Sequence, residues 1–146
     1  MRIEVITEGI ALIFIGICAV CDIRRKEIPL PLILAGMTAA FGAGVWQMKA
    51  EGLTAAEAGM SLLPGMFFLL TAFCTGEKVG YGDGLILLAV GLLLGFYRCF
   101  LALCAALVFS AMISLLLMVF HRADRHSRIP FVPFLGFGMG VVIFAW

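Results

Sequence analysis

From Gly82 to Phe120 the sequence carries two charged residues, Asp83 and Arg98, in a stretch otherwise dominated by leucine, alanine, valine and phenylalanine. One crossing of a bilayer takes about 20 apolar residues, so this stretch alone is long enough to cross twice. The rest of the chain follows the same pattern. Six apolar segments stand out: Val5–Cys21, Ile28–Trp46, Ala58–Cys74, Gly82–Tyr97, Cys99–Phe120 and Ile129–Trp146. Lipid offers no partner to free backbone N–H and C=O groups, so each segment is expected to be helical. The 146 residues are 64% hydrophobic and 13% charged, too little polar material to cover a soluble surface. The expected fold is all-α: a polytopic membrane protein of about six transmembrane helices, in one domain spanning residues 1–146.

The connections are short and mostly polar: Asp22–Glu27, Gln47–Glu57, Thr75–Lys78, Tyr97-Arg98 and His121–Arg128. Sequential helices should therefore be antiparallel neighbours. The first, third and fifth connections hold seven lysines and arginines (Arg24, Arg25, Lys26, Lys78, Arg122, Arg125, Arg128). The other side holds three (Arg2, Lys49, Arg98). Seven against three places the odd-numbered connections in the cytoplasm and both termini outside. The basic residues are scattered over short loops, and the net charge is only +1, so nothing resembles a nucleic-acid footprint. Met1-Arg2-Ile3-Glu4 and the apolar run after it invite a signal-peptide reading. The run ends in Cys21-Asp22-Ile23-Arg24-Arg25 and not in a small-residue cleavage site, so a retained helix is expected.

Two carboxylates stand out. Asp22 closes the first apolar segment just before Arg24-Arg25-Lys26; taken alone, it could be a solvated interfacial acid. Asp83 lies in Gly80-Tyr81-Gly82-Asp83-Gly84, directly ahead of Leu85-Ile86-Leu87-Leu88. An acid so close to an apolar run is costly, which makes it a functional candidate as well as a helix N-cap. Glycines around it permit positive φ and close approach of a second backbone, as an extended peptide substrate requires. Residues Glu77–Gly84 are expected to dip into the membrane as irregular chain. A phosphate loop is excluded, because no Gly-Lys-Ser/Thr follows.

A third unusual stretch, Ile129-Pro130-Phe131-Val132-Pro133-Phe134-Leu135-Gly136-Phe137-Gly138, opens the last segment. It reads as a rigid helix start, since proline suits the first turn, or as a wall whose spare carbonyls hold a substrate strand. All three stretches fall beside odd-numbered connections, hence on one face. Cys18 and Cys21 form a C-x-x-C on an apolar helix without a second pair, and read with Cys74, Cys99 and Cys104 as small hydrophobes. His121 and His126 sit among arginines and read as solvated; no metal site is expected. Ser110 and Ser114, four apart on one segment, are expected to bond their own helix.

Taken together, these stretches resemble the type IV prepilin leader peptidase family, the bacterial and archaeal branch of the G-x-G-D aspartyl proteases. Asp22 followed by basic residues and Ile28-Pro29 resembles the first catalytic stretch of that family. Gly80-Tyr81-Gly82-Asp83 matches the second, and Pro130-Phe131 with Pro133-Phe134 resembles the proline-phenylalanine stretch of the last helix. The resemblance covers essentially the whole chain. It implies Asp22 and Asp83 as a catalytic pair activating water without a metal or other cofactor. Gly80, Tyr81, Gly82, Gly84, Ile28, Pro29, Pro130, Phe131 and Pro133 would then bind substrate or shape the site. The implied substrate is a type IV pilin-like precursor, cleaved at the cytoplasmic border of the cell membrane.

The chain differs from the family at three positions: Leu30 replaces a frequent asparagine, Leu85 a usual lysine, and Val132 a usual glycine. Nothing corresponds to the paired C-x-x-C part that larger members link to methylation, so no methyltransferase activity is expected. Asp22 ends a helix and Asp83 begins one, so the helix dipole would make Asp83 the base and Asp22 the acid. Two other readings use the same acids. One is a catalytically idle family member acting as a pilus or secretion assembly partner; the other is a proton- or cation-coupled transporter component.

Overall fold

The computed structural model describes residues 2–25, 28–50, 52, 54–75, 80–120 and 130–145. Among them all regular secondary structure is α-helical: α1 (Arg2–Arg25), α2 (Leu30–Ala50), α3 (Ala55–Ser61), α4 (Leu63–Cys74), α5 (Tyr81–Val119) and α6 (Val132–Ala145). Three stretches are individually long and apolar enough to cross a membrane: Val5–Arg25, Leu30–Ala50 and Tyr81–Val119. The pair α3 and α4, bent by 40° at Leu62, makes a fourth if it is counted as one broken span.

Helix α5 is not one rod. Its single non-helical residue is Gly95, with φ 79° and ψ 170°, a conformation essentially reserved for glycine. In a straight helix, residues 87 and 99 would lie about 18 Å apart along the axis. Here the Cys99 thiol donates to the Leu87 carbonyl at 3.8 Å. The chain therefore doubles back at Gly95 into two antiparallel limbs, residues 81–94 and 96–119. Counting both limbs and the bent α3–α4 pair as one, six helical passes follow in the expected order.

Several expectations are corrected in detail. The turn between the fourth and fifth passes sits at Gly95, not at Tyr97-Arg98. Backbone conformation decided this, and the polar residue did not need a loop: Arg98 lies inside the second limb, ion-paired with Glu8 of α1. The third pass starts at Ala55, because Thr54 and Glu57 form a reciprocal capping box there. Residues 81–84 are already helical, so this part of the expected irregular chain is not seen; residues 76–79 lie outside the described ones. The limb 81–94 rises only about 21 Å, at 1.5 Å per residue, against a hydrocarbon core of about 30 Å. One of the six expected spans is thus shorter than a full crossing.

The first limb of α5 forms the centre. Ile86, Leu87, Ala89, Val90 and Leu93 are buried on it, packed with Ala11, Ile15 and Cys18 of α1 and with Leu135 and Met139 of α6. Apolar burial drives little association in lipid, so helices there gain mainly from close packing. The α4–α5 contact shows how this is achieved. A Cβ on Gly65 of α4 would meet the Leu88 backbone N at 2.6 Å, and a Cβ on Gly84 of α5 would meet the Leu69 side chain at 2.8 Å. Each helix offers one glycine to the leucine of the other, four residues apart, which fixes an antiparallel register. At the Gly95 turn, Gln47 of α2 donates to the Leu93 carbonyl at 3.3 Å, a group that the broken helix leaves free. Large side chains such as Phe41, Phe73 and Phe144 remain exposed on the outer faces, an apolar surface far beyond that of a soluble monomer.

Candidate active site

Asp22 lies in the last turn of α1 and is only 8% exposed. Its carboxylate Oδ2 accepts a hydrogen bond from the Val132 backbone N–H at 3.3 Å. The local chemistry explains the contact. The first N–H groups of α6 have no intrahelical acceptor, Pro133 itself has no N–H to satisfy, and a carboxylate is a strong substitute acceptor for Val132. Phe131 precedes that turn, and its carbonyl accepts the N–H groups of Phe134 and Leu135 at 3.0 and 3.1 Å. The Phe131 carbonyl is therefore engaged by its own helix and is not a spare acceptor for a substrate strand.

Asp83 is the third residue of α5, whose N-cap is Gly80 in an extended conformation. The Asp83 N–H donates to the Gly80 carbonyl at 3.1 Å. A Cβ on Gly80 would stand 3.2 Å from Asp83 Oδ2, so a side chain there would press on the carboxylate. None of Gly80, Gly82 and Gly84 takes positive φ; among the described residues only Gly52 and Gly95 do. The expected use of these glycines for unusual backbone angles is thus replaced by close approach. Gly84 receives Leu69, and a Cβ on Gly82 would lie 3.7 and 3.6 Å from Ile28 and Ile33.

Asp22 and Asp83 stand at the same end of the bundle: adjacent residues of α4 meet the two segments, Phe68 stacking on Phe131 beside the Val132 that holds Asp22, and Leu69 packing at Gly84 beside Asp83. Around them, Ile28 and Pro29 lead into α2, the Pro29 carbonyl accepting the Leu32 and Ile33 N–H groups at 3.0 and 3.4 Å. Pro130 and Pro133 are half-buried at the start of α6, and Tyr81 is exposed at the rim. Of the three departures from the family pattern, Leu30 is exposed, Leu85 half-buried and Val132 fully buried. Val132 meets Asp22 through its backbone, so this contact does not depend on the missing glycine. The two acids also end up in similar electrostatic positions. Asp22 closes α1 but faces the N-terminus of α6, just as Asp83 sits at the N-terminus of α5. Helix dipoles therefore do not separate an acid from a base.

The Val132 N–H and the ring of Phe68, stacked on Phe131 with centroids 5.4 Å apart, were not foreseen from sequence. The only signal for the first was the unpaired N–H groups that any helix start presents. Cys18 is buried and Cys21 partly so, both as free thiols. Among the described residues no group of three or more His, Cys, Asp or Glu side chains has a metal-binding arrangement. Lys26, Lys78, His121, Arg122, Arg125, His126, Arg128 and Ile129 lie outside the described residues.

Residues 9–115 match the model of the type IV leader peptidase family, a segment that contains both Asp22 and Asp83. No curated protein and no solved structure gives a match.

Proposed function

The chain belongs to the type IV leader peptidase family, and from this we propose that it is a membrane aspartyl endopeptidase acting through Asp22 and Asp83. Its substrate is a type IV pilin-like precursor, from which it removes the short basic leader at the cytoplasmic membrane border. One observation carries the reading. Two carboxylates from helices far apart in the chain stand at the same end of the helix bundle, Asp22 bonded to the start of α6 and Asp83 in the first turn of α5, with adjacent residues of α4 packed beside both. Two acids brought together around one water cannot both ionise cheaply, so in this mechanism they share one proton. The ionised member draws a proton from water as it attacks the scissile carbonyl, while the protonated member polarises the carbonyl oxygen. The proton then passes to the departing amine. With Asp22 Oδ2 accepting from Val132, the other oxygen of Asp22 is the one left to face Asp83 and the water.

The excess of lysine and arginine in the odd-numbered connections supports a cytoplasmic site. Gly80 leaves room beside the Asp83 carboxylate, Gly82 and Gly84 let neighbouring segments pack close to it, and Ile28, Pro29, Pro130, Phe131 and Pro133 shape the other walls, with Tyr81 at the rim. A relay of acids through the membrane gains no support from Glu8, which is held by Arg98. The test is direct. Purified protein in detergent is incubated with a pilin-like precursor carrying a basic leader. Cleavage by the wild type, abolished in Asp22→Asn and in Asp83→Asn while both variants still insert, is the expected result. Leader removal by either variant excludes the pair as the catalytic machinery.

A further inference from the structure

Two adjacent residues of α4 reach the two halves of the proposed dyad. Phe68 stacks on Phe131, ring centroids 5.4 Å apart and planes 24° from parallel. Phe131 is the residue before Val132, whose N–H holds Asp22. Leu69 fills the space in front of Gly84, where a Cβ would lie 2.8 Å from its Cγ and Cδ2 and 3.2 Å from its backbone N. Gly84 is the residue after Asp83. Successive side chains on a helix diverge by about 100°, so one turn of α4 can brace two different neighbours at once.

We infer that α4 acts as a bracket that sets the spacing of Asp22 and Asp83, with Phe68 and Leu69 as its positioning residues. The inference rests on the dyad reading above and deepens it. Three features make α4 suited to the task. Its register on α5 is locked by the Gly65–Leu88 contact, so it does not slide. Its other side carries Met66, Phe67, Leu70 and Phe73, all exposed, so it holds the site from one flank only. Its N-terminal end is set off from α3 by the 40° bend at Leu62, so it takes a direction of its own. Val132 holds Asp22 and Gly80 abuts Asp83, each acting at one acid alone.

The test has an activity arm and a geometric arm. In the first, Phe68→Ala lowers kcat on the precursor about 10- to 100-fold with KM nearly unchanged, as a small misplacement of reacting groups does. The flanks of its pH–rate profile also move, because the coupling of two acids depends on their separation. Phe68→Tyr, which keeps the stacked ring, retains most activity, and Phe67→Ala on the exposed face leaves it unchanged. Gly84→Ala is impaired, and adding Leu69→Ala restores part of the loss. In the second arm, an Asp22→Cys/Asp83→Cys protein is oxidised and the peptide joining positions 22 and 83 is quantified by mass spectrometry. Its yield changes several-fold when Phe68→Ala is added. If Phe68→Ala does not insert, Phe68→Leu takes its place in both arms.

The arms separate the two ideas. A wild type that cleaves, with Phe68→Ala unchanged in rate, pH profile and cross-linking, overturns the bracket and leaves the peptidase reading standing. A wild type that cleaves no precursor removes the peptidase reading, and the cross-linking yield then decides the bracket by itself.

Discussion

The Val132 backbone N–H donates to Asp22 Oδ2, tying the first turn of α6 to the last turn of α1 across 110 residues of sequence. Every other feature of the site can be placed relative to this bond. It fixes one carboxylate, while the second arrives on the first turn of the central helix.

Removing that donor tests the bond. Val132→Pro lacks the N–H but suits the first helical position, so α6 should persist. A hydrogen bond to a charged group contributes about 1.5–3 kcal/mol, and leader cleavage should fall about 10- to 100-fold. Val132→Ala keeps the donor and should stay active. Rates on a pilin-like precursor, read beside thermal melts of both variants, check the contrast.

Gly80 and Gly82 should respond differently to the same change. A Cβ at 80 would stand 3.2 Å from Asp83 Oδ2, whereas one at 82 would meet Ile33 and Ile28 at ordinary contact distances of 3.6 and 3.7 Å. Gly80→Ala should displace the carboxylate by a few tenths of an ångström and lower kcat about tenfold. Gly82→Ala should be tolerated. Equal activity in the two variants would count against crowding of Asp83 by residue 80.

Gly95→Ala puts a side chain on a backbone with φ 79°. Strain of that kind amounts to about 1–3 kcal/mol, and it should appear as a lowered unfolding midpoint in detergent. The pH dependence of cleavage should not change, because the residue lies at the end of the limb away from Asp83.

The pair Glu8–Arg98 lies at the same far end, with side chains 18% and 28% exposed. Its loss in Glu8→Gln should destabilise the fold by about 1–3 kcal/mol, between the values for exposed and fully buried pairs. Gln47→Leu should remove only about 0.6 kcal/mol, the average for a hydrogen bond between membrane helices. Denaturation curves of the two variants rank these contacts.

Much of the architecture was legible because lipid permits few alternatives. Apolar length and turn chemistry gave six helical passes, and the stretches bearing Asp22, Asp83 and Pro130 were recognisable by their cost in an apolar setting. The failures share one cause. Arg98 suggested a loop because its partner Glu8, 90 residues away, could not be seen in the sequence. Gly80, Gly82 and Gly84 suggested unusual backbone angles, when what they accommodate are side chains: Asp83 at Gly80, Ile28 and Ile33 at Gly82, and Leu69 at Gly84. Phe68 carried no local signal at all, since one phenylalanine among thirteen is set apart only by what it stacks on. The dipole argument for Asp22 failed in the same way. It considered α1 alone and could not include the start of α6.

The reversal at Gly95 has a consequence for the surrounding bilayer. The limb that carries Asp83 rises about 21 Å, some 9 Å less than the hydrocarbon thickness. With its Gly95 end at the far boundary, its Asp83 end would stop below the near headgroups, and the lipid would thin locally or water would fill a dimple above the acid. A scissile bond would then be drawn down from the interface into that wet hollow, and thicker membranes should slow the reaction.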